Sequence, residues 1–134
     1  MKNPKLKKQL TNLKKSFKNL EEALALPIQN ERDIAGIIQC FEMTFELFWK
    51  VFQQLNILQG TPSNGPREAL ENAFHLKMIS NDEIWVSALK DRNLTVHTYD
   101  DALAKEMIER VRHHYYPEFQ KTLRLLIQLS KKFI

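Results

Sequence analysis

Between Ile34 and Leu55 an apolar residue returns at nearly every third or fourth position: Ile34, Ile37, Ile38, Phe41, Phe45, Phe48, Phe52 and Leu55. That spacing matches the 3.6-residue turn of an α-helix and not the two-residue repeat of a strand. Asn30 and Asp33 are cap candidates at its start and Gly60 lies beyond its end, so the stripe predicts a helix of about eight turns. Met43, Leu47 and Val51 add apolar surface off the stripe. A helix apolar on more than one side must be covered by other helices or by a second copy of the chain.

The remaining sequence offers more helices and no strands to do this. Leu6, Leu10, Leu13, Phe17, Leu20 and Leu24 form one amphipathic stripe, which ends before Pro27. Of only three glycines, Gly60 and Gly65 fall in GTPSNGP, a loop by its turn chemistry, and Pro66 is placed to open a third, short helix. Ser80 and Glu83 have capping-box spacing ahead of Ile84, Trp85, Ala88 and Leu89, which predicts a fourth helix running into Arg92. A last helical stretch begins near Asp100 and reaches Phe133, with a kink or restart expected at Pro117, which lacks an amide donor. There is no hairpin alternation, internal repeat or low-complexity tract. The pattern predicts an all-α, up-and-down antiparallel bundle of four to five helices, one domain over residues 1–134.

Composition narrows the function classes. At 134 residues and 43% hydrophobic content the chain can bury a core without disulfides or metals. Its one cysteine, Cys40, lies in an apolar run and reads as a small core residue. No stretch approaches the roughly 20 apolar residues of a membrane span, and MKNPKLKKQL lacks the apolar run of a secretory signal, so a cytoplasmic protein is expected. Within a net charge of +4, lysines crowd the start: Lys2, Lys5, Lys7, Lys8, Lys14, Lys15 and Lys18. They read either as a solvated helix face or as a surface for RNA, an acidic partner or an anionic membrane. Glycine-rich phosphate loops, HExxH, CxxC and a nucleophile elbow are all absent, so neither a metal nor a cofactor is expected. His113 and His114 are adjacent and point about 100° apart on a helix, a poor metal pair.

The polar density of Arg92-Asn93-Leu94-Thr95-Val96-His97-Thr98-Tyr99 stands apart. Histidine moves protons near neutral pH, arginine clamps phosphate bidentately and asparagine can position either, a set suited to phosphodiester chemistry without a metal. A capped helix end with an arginine-to-carboxylate pair is the plainer reading of the same residues. On a continued helix Asn93 and His97 lie about 40° apart but Arg92 and His97 about 140° apart. Arg92 and His97 therefore converge only if the helix ends between them or a second subunit completes the site, which favours a symmetric dimer with the two segments facing each other.

RNLTVHTY resembles the R-x4-H-x-Y motif of the HEPN superfamily. FEMTFELFWKVF, residues 41–52, is similar to the FExTFELxWK signature of the branch named nucleotidyltransferase substrate-binding proteins, and HTYDDALAKEM resembles the segment after the motif in that branch. The resemblance implies a helical homodimer that works with a separate minimal nucleotidyltransferase, as its substrate- or nucleotide-binding half or as a metal-independent endoribonuclease toxin. On the second description Arg92 stabilises the scissile phosphate, His97 is general acid or base, and Asn93 is the polar residue after the arginine. Tyr99 matches the tyrosine that the partner enzyme modifies with AMP; a charged nucleotide there would block RNA. In the other signature, Glu46 either pairs with Lys50 along the helix or holds Arg92, and Trp49 is core, dimer interface or a base-stacking platform.

Overall fold

The computed structural model describes residues 3–94 and 100–134. They form α1 (Pro4–Ala25), α2 (Glu31–Leu58), α3 (Pro66–His75), α4 (Asp82–Asn93), α5 (Asp101–Arg110), a π-helical turn (Val111–Tyr115) and α6 (Tyr116–Ser130). The last three run on without a break and make one rod. Side-chain register gives the directions. Ser16 meets Thr44 across α1 and α2, Glu46 and Phe52 of α2 meet Arg92 and Trp85 of α4, and Trp85 and Asp91 of α4 meet Glu118 and Arg110 of the rod. Tyr116 stacks on Phe17 while Arg112 reaches the carbonyl of Leu24, so α1 and the rod are also antiparallel. This is the all-α, up-and-down bundle read from the spacing, with α3 bridging α2 to α4.

Both long stripes are buried throughout, from Leu6 to Leu24 and from Ile34 to Leu55. The bundle centre is aromatic. Trp85, fully buried, lies 5.1 Å from Phe52, 5.2 Å from Phe48 and 5.2 Å from Phe119, and Phe41 stacks on Tyr115 at 5.3 Å. Edge-on and offset pairs of this kind each add about 0.5–1.5 kcal/mol beyond area burial. The Trp85 indole N–H, which would be costly to bury alone, donates to Glu118 at 3.3 Å. Asn56, also fully buried, donates to Ser63 Oγ and to the Ala69 carbonyl, which ties the end of α2 to the loop and to α3.

Local signals hold in most places and are corrected in two. Asn30 caps α2 by accepting from the Asp33 amide while Asp33 accepts from the Gln29 amide, and Pro66 opens α3. The cap of α4, however, is Asn81, whose side chain accepts from the Ile84 amide; the Ser80–Glu83 capping box does not form, and Ser80 accepts from Lys121 instead. Asparagine is as good a cap as serine and lies one residue closer to the apolar stripe. At Pro117 the rod neither stops nor restarts with a cap. The π-helical turn ahead of it supplies one extra residue and relieves the clash a proline ring makes with the preceding turn. Cys40 is only half-buried, and desolvation raises its thiol pKa.

Lys77 follows α3 with φ +62°, in the left-handed region where a side chain is strained and glycine is not. Lys77→Gly is expected to raise stability by up to about 1 kcal/mol, read as a shifted midpoint in urea unfolding with an unchanged slope.

Candidate functional site

The site is organised by the end of α4. Asp91, 5% exposed, sits on the inner side of the helix three residues after the buried Ala88, where an apolar residue would ordinarily stand. Its carboxylate accepts a two-pronged contact from Arg110, Nε at 2.7 Å and the second nitrogen at 2.9 Å, and a hydrogen bond from the Tyr115 hydroxyl. Ser87 Oγ lies 2.7 Å from that hydroxyl. The arrangement satisfies a buried charge and pins the last turn of α4 to the rod. The π-helical turn carries Tyr115 and is part of this clamp. Nothing in the sequence reading marked Arg110 or Tyr115; the available signal was a carboxylate at a core position of α4.

With Asp91 turned inward, Arg92 points toward α2. Its guanidinium forms an ion pair with Glu46 and donates to Asn93 Oδ1 at 3.0 Å. The Arg92 side chain keeps 33% exposure, so the group is oriented by the protein and still reachable. Lys50 Nζ stands 4.0 Å from the other Glu46 oxygen, making Glu46 the bridge between two cations, with Arg92 the nearer. Of the two alternatives for Glu46, the contact with Arg92 dominates. At this exposure the pair contributes about 1 kcal/mol or less to stability. Burial raises the Glu42 carboxyl pKa and the positive charge of Arg92 partly offsets it, placing a second carboxylate in reach of the same cation.

The structure thus brings together Arg92, Asn93, Glu46 and Lys50. Trp49 is half-buried and packs against the core, and its buried indole nitrogen has no hydrogen-bond partner among the described residues. His97 and Tyr99 lie outside the described residues. α4 ends at Asn93, Leu94 is extended at ψ 132°, and α5 starts afresh on the Asp100 cap. The helix therefore stops between Arg92 and His97, and the 140° separation on a continued helix does not apply. His113 and His114 are exposed, His113 paired with Glu109 at 3.0 Å. Among the described residues no group of three or more His, Cys, Asp or Glu gathers as for a metal ion, and no helix is long and apolar enough to cross a membrane.

These features define a helical bundle whose fourth helix presents a carboxylate-held arginine at its end. The chain belongs to the family described as nucleotidyltransferase substrate binding protein like, whose model matches residues 8–128. Its fold is similar to that of a Thermus thermophilus protein solved by crystallography, with a TM-score of 0.71 and 26% identity over 87% of this chain and 96% of the other. A comparison with curated proteins gives no match.

Burial first, and then the bond to Asp91, pushes the Tyr115 phenol up to about 12 from the usual 10. The folded chain thus favours the neutral phenol. That stabilisation is complete below pH 10 and is lost as the pH rises toward 12, because the unfolded chain releases its proton first. Over this window stability should fall more steeply in the wild type than in Tyr115→Phe when both are unfolded in urea; parallel slopes would assign the alkaline loss elsewhere. Asp91→Ala leaves Arg110 and Tyr115 without their acceptor and should cost about 2–3 kcal/mol, less than for a sealed pair because Arg110 can turn to water.

Proposed function

We propose that the chain is the helical subunit of a two-component cytoplasmic system with a minimal nucleotidyltransferase, that it holds a phosphate of RNA or a nucleotide at Arg92, His97 and Tyr99, and that it acts as a metal-independent endoribonuclease silenced by AMP addition at Tyr99. The observation that carries this reading is the Arg92 guanidinium, fixed by Glu46 and Asn93 yet open on one side. A prearranged arginine meets a phosphate with little ordering cost and can stabilise charge on its oxygens during in-line attack. In RNA the 2′-hydroxyl attacks the adjacent phosphorus and the bond to the 5′-oxygen breaks. His97 moves a proton at one of those oxygens, Arg92 neutralises the phosphate, and Asn93 steadies Arg92. AMP on Tyr99 would bring a phosphate to the same arginine and exclude RNA. We also propose a homodimer across this face. Met43, one turn from Glu46, is 53% exposed, and Leu94, two residues after Arg92, is 56% exposed, an apolar flank that a second copy would cover.

A second reading, a substrate- or nucleotide-binding subunit with no chemistry of its own, is favoured by the family description and by Glu46, which already satisfies Arg92 with a carboxylate.

The isolated protein should cleave RNA in excess chelator, and His97→Ala should abolish cleavage with the fold intact; a His97→Ala protein that still cuts sinks the ribonuclease reading. Arg92→Ala should lower the rate by about 100-fold or more, and Arg92→Lys nearly as much, because an ammonium cannot reproduce the planar fork. Binding of the nucleotidyltransferase or a nucleotide without cleavage under any condition would support the second reading. Intact mass after co-expression with that enzyme should show AMP on the wild type and none on Tyr99→Phe.

A further inference from the structure

The charges of this chain are segregated. All 16 carboxylate side chains lie between Glu21 and Glu118, so residues 4–20 of α1 and residues 119–134 contain none. Those two segments are neighbours, because α1 and α6 are antiparallel and pack together. Between them runs a groove of about 360 Å³, floored by Leu10, Ile127 and Ile134 and edged by Lys7, Lys14 and Lys131. On the other flank of α6 a second groove of about 540 Å³ has Leu125 and Leu129 in its floor and Lys77, Lys131 and Lys132 at its edge. Neither is lined by an aspartate or a glutamate, and none of these lysines forms an ion pair among the described residues. Leu125 at 39% and Ile134 at 43% exposure leave apolar surface open within the basic patch.

From this we infer that the α1–α6 end of the bundle is a docking surface for an acidic amphipathic helix of a protein partner. Two physical points select that occupant. The floor is apolar, and a phosphate backbone laid into it would lose hydration without gaining partners, whereas a helix buries leucine-like side chains there at no such cost. The rim repeats at helical spacing: Lys7 and Lys14 are one heptad apart, about 10.5 Å along α1, the same rise that separates carboxylates one heptad apart on a helix lying alongside. Exposed lysines then supply on-rate and orientation, and the apolar floor holds the complex. The surface is remote from Arg92. Arg92 lies level with Arg110, in the first third of the rod, and Lys131 is 21 residues further, about 30 Å along the axis. Docking at one end therefore leaves the arginine at the other end free, and the inference does not depend on what Arg92 does.

The test titrates the full chain, at about 0.15 M salt, with a labelled synthetic helix of about five turns carrying leucines on one face and glutamates flanking them at heptad spacing. A peptide of identical composition, scrambled to destroy the face, is the control. The amphipathic peptide should bind at least about tenfold more tightly than the scrambled one. Combined Lys7→Glu, Lys14→Glu and Lys131→Glu should weaken it by at least about tenfold, and Leu125→Ser with Ile134→Ser by about fivefold with every charge kept. Lys→Gln at the same three positions replaces the reversal should that variant fail to fold. No binding, or equal binding of both peptides, overturns the inference. So does tighter binding of a single-stranded RNA oligonucleotide or of phosphatidylglycerol vesicles through the same lysines with no response to the serine variants.

Discussion

The two-pronged contact between Asp91 and Arg110 is the interaction on which the arrangement of the site depends. It joins the last turn of α4 to the rod at the level where the rod departs from regular α-geometry. A buried carboxylate that accepts from a guanidinium and a phenol has few ways to be satisfied, so the rotation of α4 about its own axis is set to within a small angle. Adjacent positions on a helix point about 100° apart. Once Asp91 is fixed inward, Arg92 must therefore face α2, where Glu46 waits. The arginine proposed to hold phosphate is thus aimed by a neighbour whose own side-chain bonds, among the described residues, are all to the rod.

The π-helical turn belongs to the same logic. Pro117 disturbs the preceding turn, and a helix can answer by kinking, stopping or adding a residue. Here the added residue falls between Val111 and Tyr115, so Tyr115 is carried in to the Asp91 carboxylate and stacks on Phe41. The distortion that proline demands and the hydrogen bond that Asp91 needs are met by one local change.

This explains which parts of the molecule could be read from the sequence. Helices α1 and α2 were legible because burial imposes a 3.6-residue rhythm on leucine, isoleucine and phenylalanine, and every residue of both stripes is buried. The motif around Arg92 was legible from residue types and from its likeness to a known family, and the Glu46 contact stood as one of two alternatives. Arg110 and Tyr115 were not legible. Their roles arise from Asp91, 19 and 24 residues away in sequence, and no periodicity encodes which partner a buried carboxylate will find. The cap of α4 was misread for a related reason. Ser80 and Asn81 are both competent caps, and the choice rests on where the helix begins relative to its apolar face.

Glu46 gives the site its electrostatic character. Its carboxylate occupies the guanidinium that a phosphate would seek, with Lys50 behind it and Glu42 within Coulombic reach of the same cation. On the proposed function a phosphodiester can take the outer edge of Arg92 while Glu46 keeps the inner one, since a guanidinium offers five donors in a fixed fork. On that reading the carboxylate is an orienting strut: by holding the inner edge of Arg92 it fixes the guanidinium plane, so that the exposed edge meets a phosphodiester oxygen in one orientation.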